Sequence, residues 1–431
     1  MIEKKFTGTL SNDDHVLEIS FSVCINDVGK VEITLNGFGL DASTEFISES
    51  FYKTESRFEK FLLKGTSGDG ANFECDNLIF TSLGSDFGFS GGYLEPVVEY
   101  SVVKMNLVAE NFAEKPKVVY GLRNFHAFNI LSEENRIGLV EMRGAKDKIA
   151  SDALTGCISV QSISMPQDLR EWRAEVDLFC RHLQKVMSFA GNADISCPVV
   201  HFFCSDVHEI EIYARHRCQS GIRPPFNFLN LQPIFHAASK SFFDPPFLVN
   251  KLSFAIDWFN MQNAYEEANL ITCMTVLESL VDSNLSDHEK TLLGDRDFDR
   301  LRRKLSCVVK SEVESLAKNE EERRRFVVDI NERFVELKRK SLLDKLKCLS
   351  LKWGVVLDDI GVDKIQAAKK ARDQVVHRGH YAPKSGAYHD LYEHHLLIRE
   401  IVVRFILAAI GFQGQYQSYI NGCHTRNFIR I

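Results

Sequence analysis

Apolar and polar residues alternate in short runs over the first third of the chain. Residues 15–23 and 31–35 carry apolar side chains at every second position, with Asn26-Asp-Val-Gly29 as a turn between them. A period of two is the mark of a half-buried strand. Further strands are predicted over residues 72–81, 97–108, 118–122, 138–142 and 157–163, and their Gly-rich punctuation predicts a sandwich or a curled antiparallel sheet. The pattern changes at Pro166, which opens a predicted helix over residues 167–190. There Leu169, Trp172, Val176, Phe179, Leu183, Val186 and Met187 recur at i, i+3 and i+4. Two more runs, residues 199–204 and 209–213, read as strands that either form a second small sheet or return to the first.

Residues 223–247 hold five of the ten prolines, which marks a domain junction. Beyond it the helical period dominates, with predicted helices over residues 249–261, 265–282, 298–318, 323–338, 342–351, 364–377 and 390–411. Long amphipathic helices with short connections imply a bundle. The expected class is therefore α+β: a β-rich, sandwich-like domain over residues 1–165, a connecting region of one helix and short strands over 166–245, and a helical domain over 246–431.

Composition narrows the picture. The 431 residues are 45% hydrophobic and 26% charged, ordinary values for a globular protein. The N-terminus lacks the basic-then-apolar build of a secretory signal, and the apolar run 401–412 is too short to span a bilayer and contains Arg404. A cytoplasmic protein with no membrane partner is expected. Eleven cysteines, an odd number without framework spacing, read as reduced thiols. The net charge of −7 argues against nucleic-acid binding until its distribution is considered: residues 1–250 carry −10 and residues 251–431 carry +3, with +7 between Leu301 and Arg378. Taken singly, Arg302-Arg303-Lys304, Arg323-Arg324-Arg325 and Lys338-Arg339-Lys340 are solvated helix faces. Together with Lys369-Lys370 they form a candidate phosphate-tracking surface.

The chemistry-bearing segment is Ala371-Arg372-Asp373-Gln374-Val375-Val376-His377-Arg378-Gly379-His380. Asp373 and His377 are four apart and share a helix face, so the carboxylate can orient the imidazole. Arg372, five before His377, lies about 140° around the axis, so one straight helix cannot aim both inward. A bent end or a second subunit would help bring them together. Gly379 is a predicted C-cap, placing His377 in the last turn, where the carbonyl end of the helix favours a cation. By residue chemistry alone the bland reading competes: a cap histidine beside a solvated Arg/Asp pair.

Other constellations are weaker. Cys197, His201, Cys204 and His208, with His216 and Cys218 after them, are zinc-ligand types at an unfamiliar spacing. On a regular strand His201 and Cys204 point to opposite faces, so the four cannot converge without a bulge, and no metal site is assigned. His389, Glu393, His394 and His395 contain no His-Glu-x-x-His, and no Gly-x-Ser-x-Gly elbow or dinucleotide fingerprint occurs. The Gly84–Gly92 stretch lacks the Gly-Lys-Ser/Thr ending of a phosphate loop and reads as a contact loop.

The segment from Arg372 to Gly379 resembles the Arg-x(4 to 6)-His signature of HEPN ribonucleases, including the polar residue after the Arg and the Gly after the His. Residues 265–280, ending in Leu277-Glu278-Ser279-Leu280, resemble the early HEPN helix, and residues 388–412 the closing one. A β-rich half followed by such a helical half is similar to the ApeA-like anti-phage proteins. The resemblance implies a cofactor-free endoribonuclease of abortive infection that cuts RNA, in particular transfer RNA, and leaves 2′,3′-cyclic phosphate ends. It implies Arg372, His377 and Asp373 as catalytic, Asp373 positioning His377 or the substrate, and a homodimer or higher homo-oligomer that pairs two motifs. A phage-derived trigger is expected. Glu278 and His380 are auxiliary candidates, and Lys369, Lys370 and Arg378 are RNA-binding candidates. The alternative is a non-catalytic RNA-binding or sensor protein whose helical half only dimerises.

Overall fold

The computed structural model describes residues 1–13, 16–26, 30–36, 60–86, 93–145, 153–213, 221–382 and 389–431. They fall into two compact units, Met1–Ser239 and Lys240–Ile431.

The first unit is built on one eleven-stranded sheet with antiparallel pairing between neighbouring strands. Its strands are β1 (Ile2–Ser11), β2 (Val16–Ile25), β3 (Val31–Asn36), β4 (Phe61–Ser67), β5 (Asn72–Asp86), β6 (Tyr93–Glu99), β7 (Val102–Arg123), β8 (Leu131–Asn135), β9 (Gly138–Gly144), β10 (Gly156–Gln161) and β11 (Ser196–Tyr213). The order is β3-β2-β1-β4-β5-β7-β10-β9-β8, with β6 paired to β5 and β11 to β7. The 22-residue β7 organises the sheet. Its start pairs with β5 and its end with β10, while β11 runs along it throughout. The expected strands at 97–108 and 118–122 thus belong to one long strand, apart from the tail of β6. The two runs at 199–204 and 209–213 are one strand, which returns to the first sheet.

An aromatic cluster fills the core under β1, β2 and β5. Phe6, Phe21 and Phe73 pack with ring centroids 5.3–5.4 Å apart. Gly65 on β4 completes it, because a Cβ there would lie 2.7 Å from the Phe21 ring. That glycine interrupts the apolar alternation and hides β4 from a periodicity reading. Helix α1 (Leu169–Gly191) starts at Asp168, whose side chain accepts from the amides of Arg170 (2.8 Å) and Glu171 (3.0 Å). Its predicted apolar stripe is buried except for Leu169. The unit boundary falls inside α2 (Gln232–Phe243), a helix in the proline-rich stretch that was read only as a junction. Pro233 sits in its first turn, where a missing N–H costs nothing.

The second unit is mainly helical. It comprises α3 (Leu252–Asn260), α4 (Glu266–Asn284), the short α5 (Asp287–Lys290), α6 (Asp295–Leu316), α7 (Glu320–Phe334), a 3-10 turn (Val335–Lys338), α8 (Leu342–Trp353), α9 (Val362–Arg378) and α10 (His389–Ala409). Helices α4 and α10 form its centre, with α3, α8 and α9 packed around them. Residues 401–409 of α10 and Ile410 after it are buried throughout, so this apolar run is core. No helix among the described residues is long and apolar enough to cross a membrane.

The chain closes with a hairpin, β12 (Gly414–Ser418) and β13 (His424–Phe428), that the helical period did not reveal. Buried Arg404 binds Asp359 through two hydrogen bonds (2.7 and 2.8 Å), donates to the Val356 carbonyl (2.8 Å) and to Glu400 (3.0 Å), and meets the Tyr416 hydroxyl (3.2 Å). Arg426 of the hairpin also reaches Asp359. Hydrogen bonding from Arg404 holds the Asp359 carboxyl down to about 2. Arg404 in the apolar run is thus the tie between α10 and the hairpin.

Candidate functional site

The candidate site lies on α9 and α4 of the helical unit. Helix α9 ends as its sequence predicts. Gly379 adopts φ +77°, and its amide donates to the Val375 carbonyl at 2.8 Å. An L-residue at this φ is strained. Gly379→Ala is expected to cost about 1 kcal/mol and to fray the turn carrying His377, which amide exchange at residues 375–379 would show as faster exchange.

The buried face of α9 consists of Ile365, Ala368, Ala371 and Val375. That phase fixes where the polar residues go. Arg372 leans toward α4 with its side chain only 21% exposed, forming an ion pair with Glu278 and a second contact with Asp373 at 3.2 Å. Glu278, an auxiliary candidate from sequence, is therefore brought directly onto Arg372. Asp373 contacts Arg372, and no hydrogen bond joins it to His377, so the expectation that it orients the imidazole is not met within one chain. The carboxylate and imidazole are both reachable on one face, yet the neighbouring guanidinium captures the carboxylate first. His377 and Arg378 are exposed at the helix end, and His380 turns its Nδ1 to the Arg378 carbonyl at 3.2 Å.

Lys369 and Lys370 are exposed on α9, two turns before His377, and with Arg378 they make no ion pair among the described residues. Arg302-Arg303-Lys304 likewise makes no ion pair among the described residues, whereas the other two basic clusters differ. Arg323 is held by Glu314 (2.6 Å) and Glu320 (3.4 Å), Arg324 by Glu320 (3.5 Å), and Lys338 by Asp295. The cations left for an anionic partner on α9 therefore flank His377.

A second polar group lies deeper in the same unit. His395 on α10 is buried and bonds Glu266 of α4 at 2.9 Å, with Cys273 also in hydrogen-bond reach. Burial opposes its charge, but the bonds with Cys273 and Glu266 prevail and raise it to about 9. In the sequence, His395 stands out only as a metal-type ligand. A raised folded-state value means that stability is fully present below 6.5 and is lost as pH rises through about 9. With Glu266 partly open to solvent, the loss is about 2 kcal/mol. Denaturant melts at a pH below 6.5 and at one above 9 should show it, and Glu266→Gln should flatten the difference.

The four zinc-type residues do not converge. The pairing of β11 with β7 shifts register twice between Phe203 and Val207, where Ser205 has φ +50°, and His201 Nδ1 lies 3.0 Å from His208 Nε2 with Phe203 stacked on His208. Burial depresses both imidazoles, His208 to about 4 with His201's charge adding to the effect. The Cys197 thiol donates to the Val199 carbonyl at 3.5 Å, and Cys204 is buried. Among the described residues, no group of three or more His, Cys, Asp or Glu side chains is placed to hold a metal ion. His216 and Cys218 lie outside the described residues, as do residues 87–92 of the Gly84–Gly92 stretch, whose first three residues end β5. No protein-family model matches this chain, and no curated protein matches it significantly.

Proposed function

We propose that this protein is a metal-independent endoribonuclease whose site is built from Arg372 and His377, with Glu278 positioning the arginine. The observation that carries the reading is the placement on α9: a guanidinium aimed by a carboxylate from a neighbouring helix, and an exposed imidazole at a capped helix end flanked by unpaired Lys369 and Lys370. In this reading the ribose 2′-oxygen attacks the adjacent phosphorus. The P–O2′ bond forms, the P–O5′ bond breaks, and the products carry a 2′,3′-cyclic phosphate and a 5′-hydroxyl. His377 accepts the 2′-hydroxyl proton and, as the imidazolium, returns it to the departing 5′-oxygen. Arg372 neutralises charge on the pentacoordinate phosphorus. Lys369, Lys370 and Arg378 hold flanking phosphates.

The resemblance to HEPN ribonucleases of the ApeA-like type supports transfer RNA as the substrate and infection as the trigger. A restrained toxin also gives the −10 N-terminal half a role, since that charge is unsuited to gripping RNA and leaves it to sense the trigger. Removing residues 1–239 should yield either constitutive toxicity or loss of phage response, and His377→Ala in the same truncation should abolish any toxicity. Sequencing RNA ends from cells that carry wild-type or His377→Ala protein tests the reaction itself. Cyclic-phosphate ends specific to the wild type, formed in purified assays with excess EDTA, are the expected result. RNA bound without cleavage under every trigger tried would favour the binding-only alternative.

A further inference from the structure

A cleft of about 750 Å³ opens one helical turn from the Arg372–Glu278 pair. It is lined by the end of α4, by α5 and the segment after it, and by residues 338–345. A two-stranded crossing closes one wall, where the Leu292 amide donates to the Lys338 carbonyl and the Lys340 amide to the Lys290 carbonyl, both at 2.8 Å. Its lysines and aspartates are sorted by depth, while Arg339 and His288 of the lining are exposed. The ammonium-bearing side chains of Lys345, Lys290 and Lys338 are recessed, 15%, 27% and 27% exposed. Their partners Asp282 and Asp295 stand on the rim, 55% and 85% exposed, and Asp287 is fully exposed.

That sorting matters because an ammonium group has three donors. Lys345 spends one on Asp282 (2.9 Å) and Lys290 one on Asp287 (3.4 Å), while Lys338 meets Asp295. Each of these lining lysines therefore keeps donors that its carboxylate does not use. Exposed ion pairs are worth only about 0–1 kcal/mol, so a rim carboxylate swings aside at little cost. A phosphate group delivers several acceptor oxygens to recessed cations that the single carboxylates leave undersatisfied. A volume in the range of roughly 300–1,000 Å³ suits a nucleotide-sized group.

Position supplies the source of that phosphate. Glu278 and Asp282 are successive turns of α4, about 6 Å apart along its axis. One holds the Arg372 of the candidate site and the other pairs with Lys345 at the cleft. A strand whose scissile phosphate meets Arg372 thus continues into the cleft. We infer that this cleft is a subsite for a backbone phosphodiester of the RNA strand next to the bond that is cut, gripped by Lys290, Lys338 and Lys345 and gated by Asp282 and Asp295. The inference rests on the ribonuclease reading.

The test uses the full chain and a 2′-O-methyl oligoribonucleotide, which binds but cannot be cut because its attacking hydroxyl is blocked. Lys338→Ala/Lys345→Ala should weaken binding roughly tenfold and reduce the slope of log affinity against log salt by about 0.7, one phosphate contact. Asp282→Asn/Asp295→Asn should tighten binding several-fold, an effect of opposite sign that misfolding cannot imitate. Unchanged binding in the lysine variant overturns the inference, and if wild type still cuts unmodified RNA the ribonuclease reading survives alone. Lysine-dependent binding together with failure to cut any RNA keeps the subsite and removes the nuclease. Binding of inorganic phosphate that depends on these lysines, without binding of the oligonucleotide, overturns the assignment to RNA.

Discussion

A His377→Ala protein is expected to fold normally and to lose RNA cleavage by roughly 10²–10⁴-fold, the range of a positioned acid–base group. The side chain is exposed and makes no hydrogen bond among the described residues, so its removal leaves no cavity and no orphaned partner. Arg372→Ala should match it through loss of transition-state charge stabilisation, by roughly 10²–10³-fold. It also releases Glu278, which is 37% exposed, so the cost to folding is under about 1 kcal/mol. Unaltered melting curves beside absent cleavage would separate chemistry from folding for both variants. Glu278→Gln should fall between, because it loosens the guanidinium without removing it. Full cleavage by the His377→Ala protein would sink the mechanism.

Mixing two dead variants should restore activity. Arg372 is turned toward α4 while His377 stands at the exposed end of α9, and no contact joins them in one chain. A working site then combines Arg372 of one protomer with His377 of its partner across a two-fold axis. When Arg372→Ala and His377→Ala proteins are unfolded and refolded together, about half of the dimers are mixed and each has one intact site. Cleavage should return to about a quarter of the wild-type rate. The same arrangement requires light scattering to give about twice the 49.1 kDa chain mass under assay conditions. A monomer that cuts RNA well, or a mixture that stays inactive although dimeric, rules out the shared site.

Much of the helical unit is legible because its signals are local. The α9 segment shows its period in Ile365, Ala368, Ala371 and Val375 and its stop in Gly379, and both survive in the structure. Helix α2 is hidden in the sequence because Pro233, a breaker by pattern, sits in its first turn as a helix starter. Strand β8 was missed because its Leu-Ser-Glu-Glu-Asn sequence is that of a polar edge, with no alternation to read. The length of β7 was equally hidden, for its middle has no clear period and its run follows from pairing with β11. At the site, the spacing of Arg372, Asp373 and His377 was visible, whereas the capture of Arg372 by Glu278 joins residues 94 apart.

By itself the sequence determined the α+β order, the helix that carries the Arg/His segment, its glycine stop and the contrast in charge between the two halves. Each of these depends on residues within a few positions of one another, through backbone hydrogen bonding, side-chain period and simple charge. Only the tertiary structure decided which cations stay free and which are neutralised, that Asp373 contacts Arg372 within the chain, and that three lysines lie recessed behind exposed carboxylates. Those outcomes depend on which distant side chains packing brings within about 4 Å, the distance at which an ion pair forms, and sequence spacing does not encode that distance.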